Sequence, residues 1–159
     1  MRFHLLVLLA LVTVFTSCDN NECSDVDLNI DATQLATDKA KIQEYLTQNN
    51  IVAQTHPSGI SYVITREGDG ARPNSCDDVS ITYEGKLLST GKVFHSSGSI
   101  KTWNLQDLIT GWQIGVPLIK EGGRITLYIP SGYAYGERAV ESIPANSVLI
   151  FEILLFGVN

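Results

Sequence analysis

Both tryptophans of the chain stand within ten residues, Trp103 to Trp112, together with Leu105, Leu108 and Ile109. Leu105, Leu108, Ile109 and Trp112 recur at i, i+3, i+4 and i+7, which is one face of a helix. Asn104 supplies a cap for its start. Gly115 and Pro117 limit its length, because proline cannot continue a helix that began more than a turn earlier. Two readings of Trp112 follow. Its indole is core, as a large aromatic at helical spacing usually is. Alternatively it is the floor of an apolar pocket walled by aromatics from elsewhere in the chain. Periodicity alone leaves both open.

The sequence on either side of this short helix alternates. Ile60 to Thr65, Val79 to Glu84 and Arg124 to Ile129 place apolar residues at every second position, the period of a half-buried strand. Thr90-Gly91-Lys92 turns the chain into a return strand at Val93-Phe94. Val148 to Phe156 is almost wholly apolar and reads as a central strand buried on both sides. Pro57-Ser58-Gly59, Glu121-Gly122-Gly123 and Pro130-Ser131-Gly132 punctuate these runs. Antiparallel strands with one apolar face need a helix to cover that face. The expected fold class is therefore α+β: a curved antiparallel sheet wrapped around one short helix, over residues 52–159. Ahead of it, Thr33 to Gln48 predicts an amphipathic helix. Leu35, Ile42, Tyr45 and Leu46 lie on one side, and Asp38, Lys39, Lys41 and Glu44 on the other. Residues 33–51 are thus expected to form a helical extension that packs on the domain.

The first residues are of a different kind. Arg2 precedes an unbroken apolar run from Leu5 to Val12, too short to span a bilayer and suited to the core of a secretory signal. Thr16 and Ser17 then lead to Cys18, an arrangement that resembles the lipobox of bacterial lipoproteins, with Phe15 in place of the usual leucine. The resemblance implies cleavage after residue 17, a lipid on Cys18 and a place in the bacterial cell envelope, at the periplasmic or the surface face of the outer membrane. Residues 18–32 hold five acids and no lysine or arginine and read as a solvated tether. Loss of residues 1–17 takes the net charge from −6 to −7, because Arg2 goes and no acid does. No basic cluster exists, which excludes nucleic acid as a natural partner. With Cys18 acylated, Cys23 and Cys76 either pair as a disulfide, as export favours, or stay free thiols.

No nucleophile–base constellation is visible. His56 lies in a turn, His95 stands alone after Phe94, and no glycine-rich phosphate loop precedes a helix. The histidines and acids show no metal-site spacing, so neither a metal nor a cofactor is expected. What stands out is aromatic: Tyr83, Phe94, Trp103, Trp112, Tyr135 and Phe151, most of them at strand ends or beside turns.

Six segments then follow in order: Tyr83-Glu-Gly-Lys-Leu, Gly91-Lys92-Val93-Phe94-His95-Ser96-Ser97, Leu108-Ile109-Thr110-Gly111-Trp112, Tyr133-Ala134-Tyr135-Gly136, Ile143-Pro144 and Leu149-Ile150-Phe151-Glu152. The series resembles the FKBP family of peptidyl-prolyl cis–trans isomerases over about residues 58–157. The resemblance implies a half-barrel sheet around a short helix, and a pocket floored by Trp112. Tyr83, Phe94, Trp103, Tyr135 and Phe151 would be its aromatic walls, and Leu108, Ile109 and Ile143 its aliphatic ones. It also starts the helix after Ile109 rather than near Leu105, leaving the Ile109 amide free for a substrate carbonyl. The family usually carries aspartate where this chain has His95, at the pocket rim. The implied activity is isomerisation of Xaa-Pro bonds in unfolded or exported envelope proteins, by a lipid-anchored monomer. A non-catalytic module or chaperone that holds proline segments is the alternative, and His95 is the feature that favours it. An apolar-ligand carrier of lipocalin type would need about eight strands, more than the pattern supplies.

Overall fold

The computed structural model describes residues 25–159. Cys18, Cys23 and the signal and lipobox assignments therefore lie outside the described residues. Strands β1 (Gln54–Thr55), β2 (Ser61–Arg66), β3 (Asp78–Leu87), β4 (Val93–Ser96), β5 (Lys101–Asn104), β6 (Arg124–Ile129) and β7 (Leu149–Val158) form one antiparallel sheet. Its order is β1-β2-β6-β7-β3-β4, and β5 shares with β4 the free edge of β3. β3 and β7 pair along their whole lengths, from Val79–Val158 to Leu87–Leu149. This agrees with the fold class that the alternation predicts.

The sheet's inner face carries Val79, Ile81, Ile125, Leu127, Ile129, Leu149, Phe151, Ile153 and Leu155, all buried. They alternate along β3, β6 and β7, as the pleat requires. Helix α2 (Thr110–Gly115) covers them. It can lie this close because of its glycines. A Cβ on Gly111 would stand 2.5 Å from Ile129 Cγ2, and one on Gly115 would stand 2.4 Å from Leu127 Cδ1. Both contacts are below van der Waals distance, so a side chain at either position would displace the β6 side chain beneath it or lift the helix.

The periodic stripe from Leu105 to Trp112 is not one helix. Leu105–Asp107 forms a 3₁₀ turn capped by the Asn104 side chain, which accepts the Gln106 N–H. The chain then extends through Leu108 and Ile109 before α2 begins at Thr110. Trp103 precedes both, on β5, a strand the sequence pattern did not signal. Residues four apart can share a face across such a break, which is why the pattern looked continuous.

Helix α1 (Ala32–Gln48) packs against the outer face of the sheet. Asp31 caps it by accepting the Gln34 N–H. Ile42 and Leu46 meet Leu88, Tyr128, Val148 and Ile150 there. One expectation fails on this helix: Asp38 is not on its wet side but fully buried. Positions 38, 42 and 46 are successive i, i+4 neighbours and so lie on one stripe. A second correction concerns β7. Its outer face is covered by α1 only near Ile150, while Glu152 and Phe156 remain exposed. In that uncovered region Lys86 bridges Glu84 and Glu152 at 2.9 and 2.8 Å. The acidic tether also ends sooner than expected. Val26 and Ile30 are partly buried against the inner core, whereas Leu28 between them is 51% exposed.

Candidate active site

Ten side chains singled out from sequence line one cavity of about 280 Å³. β3 contributes Tyr83, β4 contributes Phe94 and His95, and β5 contributes Trp103. Leu108 and Ile109 come from the extended break before α2, and Trp112 from α2 itself. β7 supplies Phe151, and Tyr135 and Ile143 come from the loop between β6 and β7. The volume is near the lower end for ligand pockets, suited to a small ring and its flanking bonds.

The aromatics pack on one another around Tyr83. Its ring meets Trp112 edge-on at 4.9 Å and Phe151 at 6.0 Å, with Trp103 also at 6.0 Å. Trp112 and Phe151 are perpendicular at 5.1 Å, as are Phe94 and Phe151 at 5.6 Å. Edge-to-face contact suits the ring quadrupoles and fixes each ring by its neighbours. The walls are therefore set before any ligand enters. Register explains part of this: Phe151 sits opposite Gly85, which leaves its ring and that of Phe94 room over β3.

Few polar groups face this cavity. The Tyr83 hydroxyl is 2.8 Å from His95 Nδ1, and the two rings stack at 5.4 Å. Burial, and secondarily Tyr135, raise the Tyr83 phenol above its ordinary pKa. Burial, then Glu141, do the same for Tyr135. Both phenols thus remain neutral hydrogen-bonding groups. Among the described residues the Ile109 N–H has no acceptor, and Trp112 Nε1 is buried without a partner. No cluster of metal-ligating side chains occurs among the described residues.

Val140, Glu141 and Ser142 also line the cavity, and sequence reasoning missed them. A two-way bridge between Val140 and Ile143 folds them over, with Glu141 at φ 50°. Only Ile143-Pro144 marked this loop in the sequence, and a four-residue bridge has no periodicity to read. Cys76, remote from these residues in the chain, is disulfide-bonded, and both other cysteines lie outside the described residues.

The family model described as FKBP-type peptidyl-prolyl cis-trans isomerase matches residues 70–156, more than half of the chain. The chain belongs to that family. It is 41% identical over 127 residues to the probable FKBP-type peptidyl-prolyl cis-trans isomerase FkpA of Neisseria meningitidis serogroup B, covering 76% of this chain and 46% of that protein. Among solved structures, FkpA from Escherichia coli superposes with a TM-score of 0.70 at 35% identity, covering 80% of this chain and 62% of that one. A peptidyl-prolyl cis-trans isomerase from Pseudomonas syringae gives 0.70 at 26% identity, covering 82% of this chain and 99% of that one. The chain thus spans about half the length of the curated relatives it matches. The FKBP match begins after β2, so α1 lies outside it.

Proposed function

We propose that this FKBP-family chain catalyses cis–trans isomerisation of Xaa-Pro bonds in exported proteins of the cell envelope. The observation that carries the reading is the preformed aromatic cavity with no nucleophile–base pair among its lining residues. The Xaa-Pro bond rotates over a barrier of roughly 18–20 kcal/mol, and its transition state is a twisted amide that has lost resonance and much of its dipole. An apolar cavity disfavours the planar, polar ground state more than the twisted one. Rings packed edge to face hold the proline in one orientation, and the Ile109 N–H, without an acceptor among the described residues, takes a substrate carbonyl. No proton transfer or covalent intermediate is required, so the lack of acid–base pairs is consistent with catalysis.

The exported location rests on Arg2, the apolar run to Val12 and Cys18, which we assign as the lipidated residue. Acylation of Cys18 leaves Cys23 as the disulfide partner of Cys76. Among the described residues no helix is long and apolar enough to cross a membrane.

A second reading has one observation in its favour: an imidazole, His95, stands with Nδ1 2.8 Å from the Tyr83 hydroxyl at the rim. On that reading the cavity holds proline segments without accelerating their rotation. A rate assay on a short Xaa-Pro peptide series, with peptide affinity measured alongside, separates the two. Acceleration of isomerisation is expected. Binding at the cavity with the uncatalysed rate would transfer the assignment to a binding module.

A further inference from the structure

Asp38 is the only buried carboxylate among the described residues, and it lies outside the segment shared with the family model. Burying a carboxylate is costly unless every oxygen is satisfied. Here both are. Oδ2 accepts the Ser131 N–H at 2.8 Å and the Ser131 hydroxyl at 2.5 Å. Oδ1 accepts from Gln34 Nε2 at 2.9 Å and Lys41 Nζ at 3.2 Å. Ser131 opens the 3₁₀ turn Ser131–Tyr133, and its carbonyl accepts the N–H groups of Ala134 and Gly136 at 2.9 and 2.8 Å. Those two amides bracket Tyr135, a wall of the cavity. The Gly136 carbonyl in turn accepts the Asn146 N–H at 2.8 Å, closing the loop that carries Val140 to Ile143.

From this chain of bonds we infer that Asp38 is a positioning residue for the cavity. α1 is then a working part of the site: through one carboxylate it holds the turn from which Tyr135 and the Val140–Ile143 wall are hung. Hydrogen bonds to an ionised acceptor are directional as well as strong, which apolar packing of α1 alone would not supply. Asp38 touches no substrate and acts through Ser131. The inference rests on the isomerase reading for its kinetic consequence but not for its structural one.

The test compares full-length wild type with Asp38→Ala and Asp38→Asn by amide hydrogen exchange and by KM and kcat on an Xaa-Pro peptide. Asp38→Ala is expected to speed exchange at Ala134, Gly136 and Asn146 by about tenfold, with β6 and β7 amides keeping their protection, and to raise KM more than it lowers kcat. Asp38→Asn keeps one acceptor oxygen for Ser131 and should stay within about twofold of wild type. If Asp38→Ala does not fold, Ser131→Ala removes only the hydroxyl bond and should show the same pattern at about threefold. Unchanged exchange at the three amides, an equal rise throughout β6 and β7, or an unchanged KM would each overturn the inference. An inactive wild type would overturn the isomerase reading alone, and the exchange pattern would then decide the inference by itself.

Discussion

Replacing Trp112 by phenylalanine tests how the cavity floor is built. Trp112 is 4% exposed, and its indole makes edge-on contacts with Tyr83 and Phe151. Phenylalanine places its single ring in the Cβ-proximal half of the indole's space, so the substitution removes the distal ring atoms and the N–H. The deletion leaves roughly 40 Å³ unfilled, which at about 24 cal/mol per Å³ costs ~1 kcal/mol, and the lost transfer term of the deleted atoms adds about 1 kcal/mol. Against this, Trp112 Nε1 has no hydrogen-bond partner. An unsatisfied buried donor costs about 1–3 kcal/mol, and the substitution removes that penalty. The two effects nearly cancel, so Trp112→Phe should leave stability within about 1 kcal/mol of wild type, whereas Trp112→Ala should lose on the order of 2–4 kcal/mol after the same correction. Urea unfolding followed by far-ultraviolet circular dichroism measures both without relying on the deleted fluorophore. A loss above about 3 kcal/mol for Trp112→Phe would refute the reasoning, because it would mean the indole N–H is satisfied in solution. The same variant locates ligand binding. A proline-mimicking macrolide of the type the family binds should change the tryptophan fluorescence of wild type, and most of that change should vanish in Trp112→Phe. An undiminished response, from Trp103 alone, would place the ligand elsewhere.

His95→Asp should raise the isomerisation rate by up to about tenfold, since it gives Tyr83 an ionised acceptor in place of an imidazole; equal rates for His95→Asp, His95→Ala and wild type would make the residue a bystander. Cys18→Ser should move the protein from the membrane fraction to the soluble extract, and a wild type already found in an osmotic-shock extract would end the lipid-anchor proposal. Tyr83, Tyr128, Tyr133 and Tyr135 all have phenols raised chiefly by burial. A group whose folded pKa exceeds its unfolded value of about 10 stabilises the fold fully below that pH and loses its contribution as pH rises through the folded value. The urea midpoint should therefore hold steady up to about pH 9.5 and fall above pH 10, with phenolate absorbance lagging behind that of the unfolded chain; a midpoint that drops well before phenolate forms would assign alkaline loss to other groups.

Some of this protein is settled by local sequence. A period of two places Val79, Ile81 and Tyr83 on one face of β3 whatever the rest of the chain does, because successive side chains in a strand must alternate. The ordered segments that resemble the FKBP family likewise imply the ten side chains that line the cavity. Tertiary structure decided what depends on contacts between distant residues. The stripe from Leu105 to Trp112 matched a helix, yet the chain extends at Leu108 and Ile109 to carry those side chains to the cavity. Val140, Glu141 and Ser142 have no pattern because a short bridge, not a regular element, directs them. Asp38 looked like one more surface acid, although its spacing from Ile42 and Leu46 placed it on the buried stripe. Its partner, Ser131, lies 93 residues away. A charge can be buried only where another part of the chain satisfies it, and periodicity carries no information about a donor so far along the sequence.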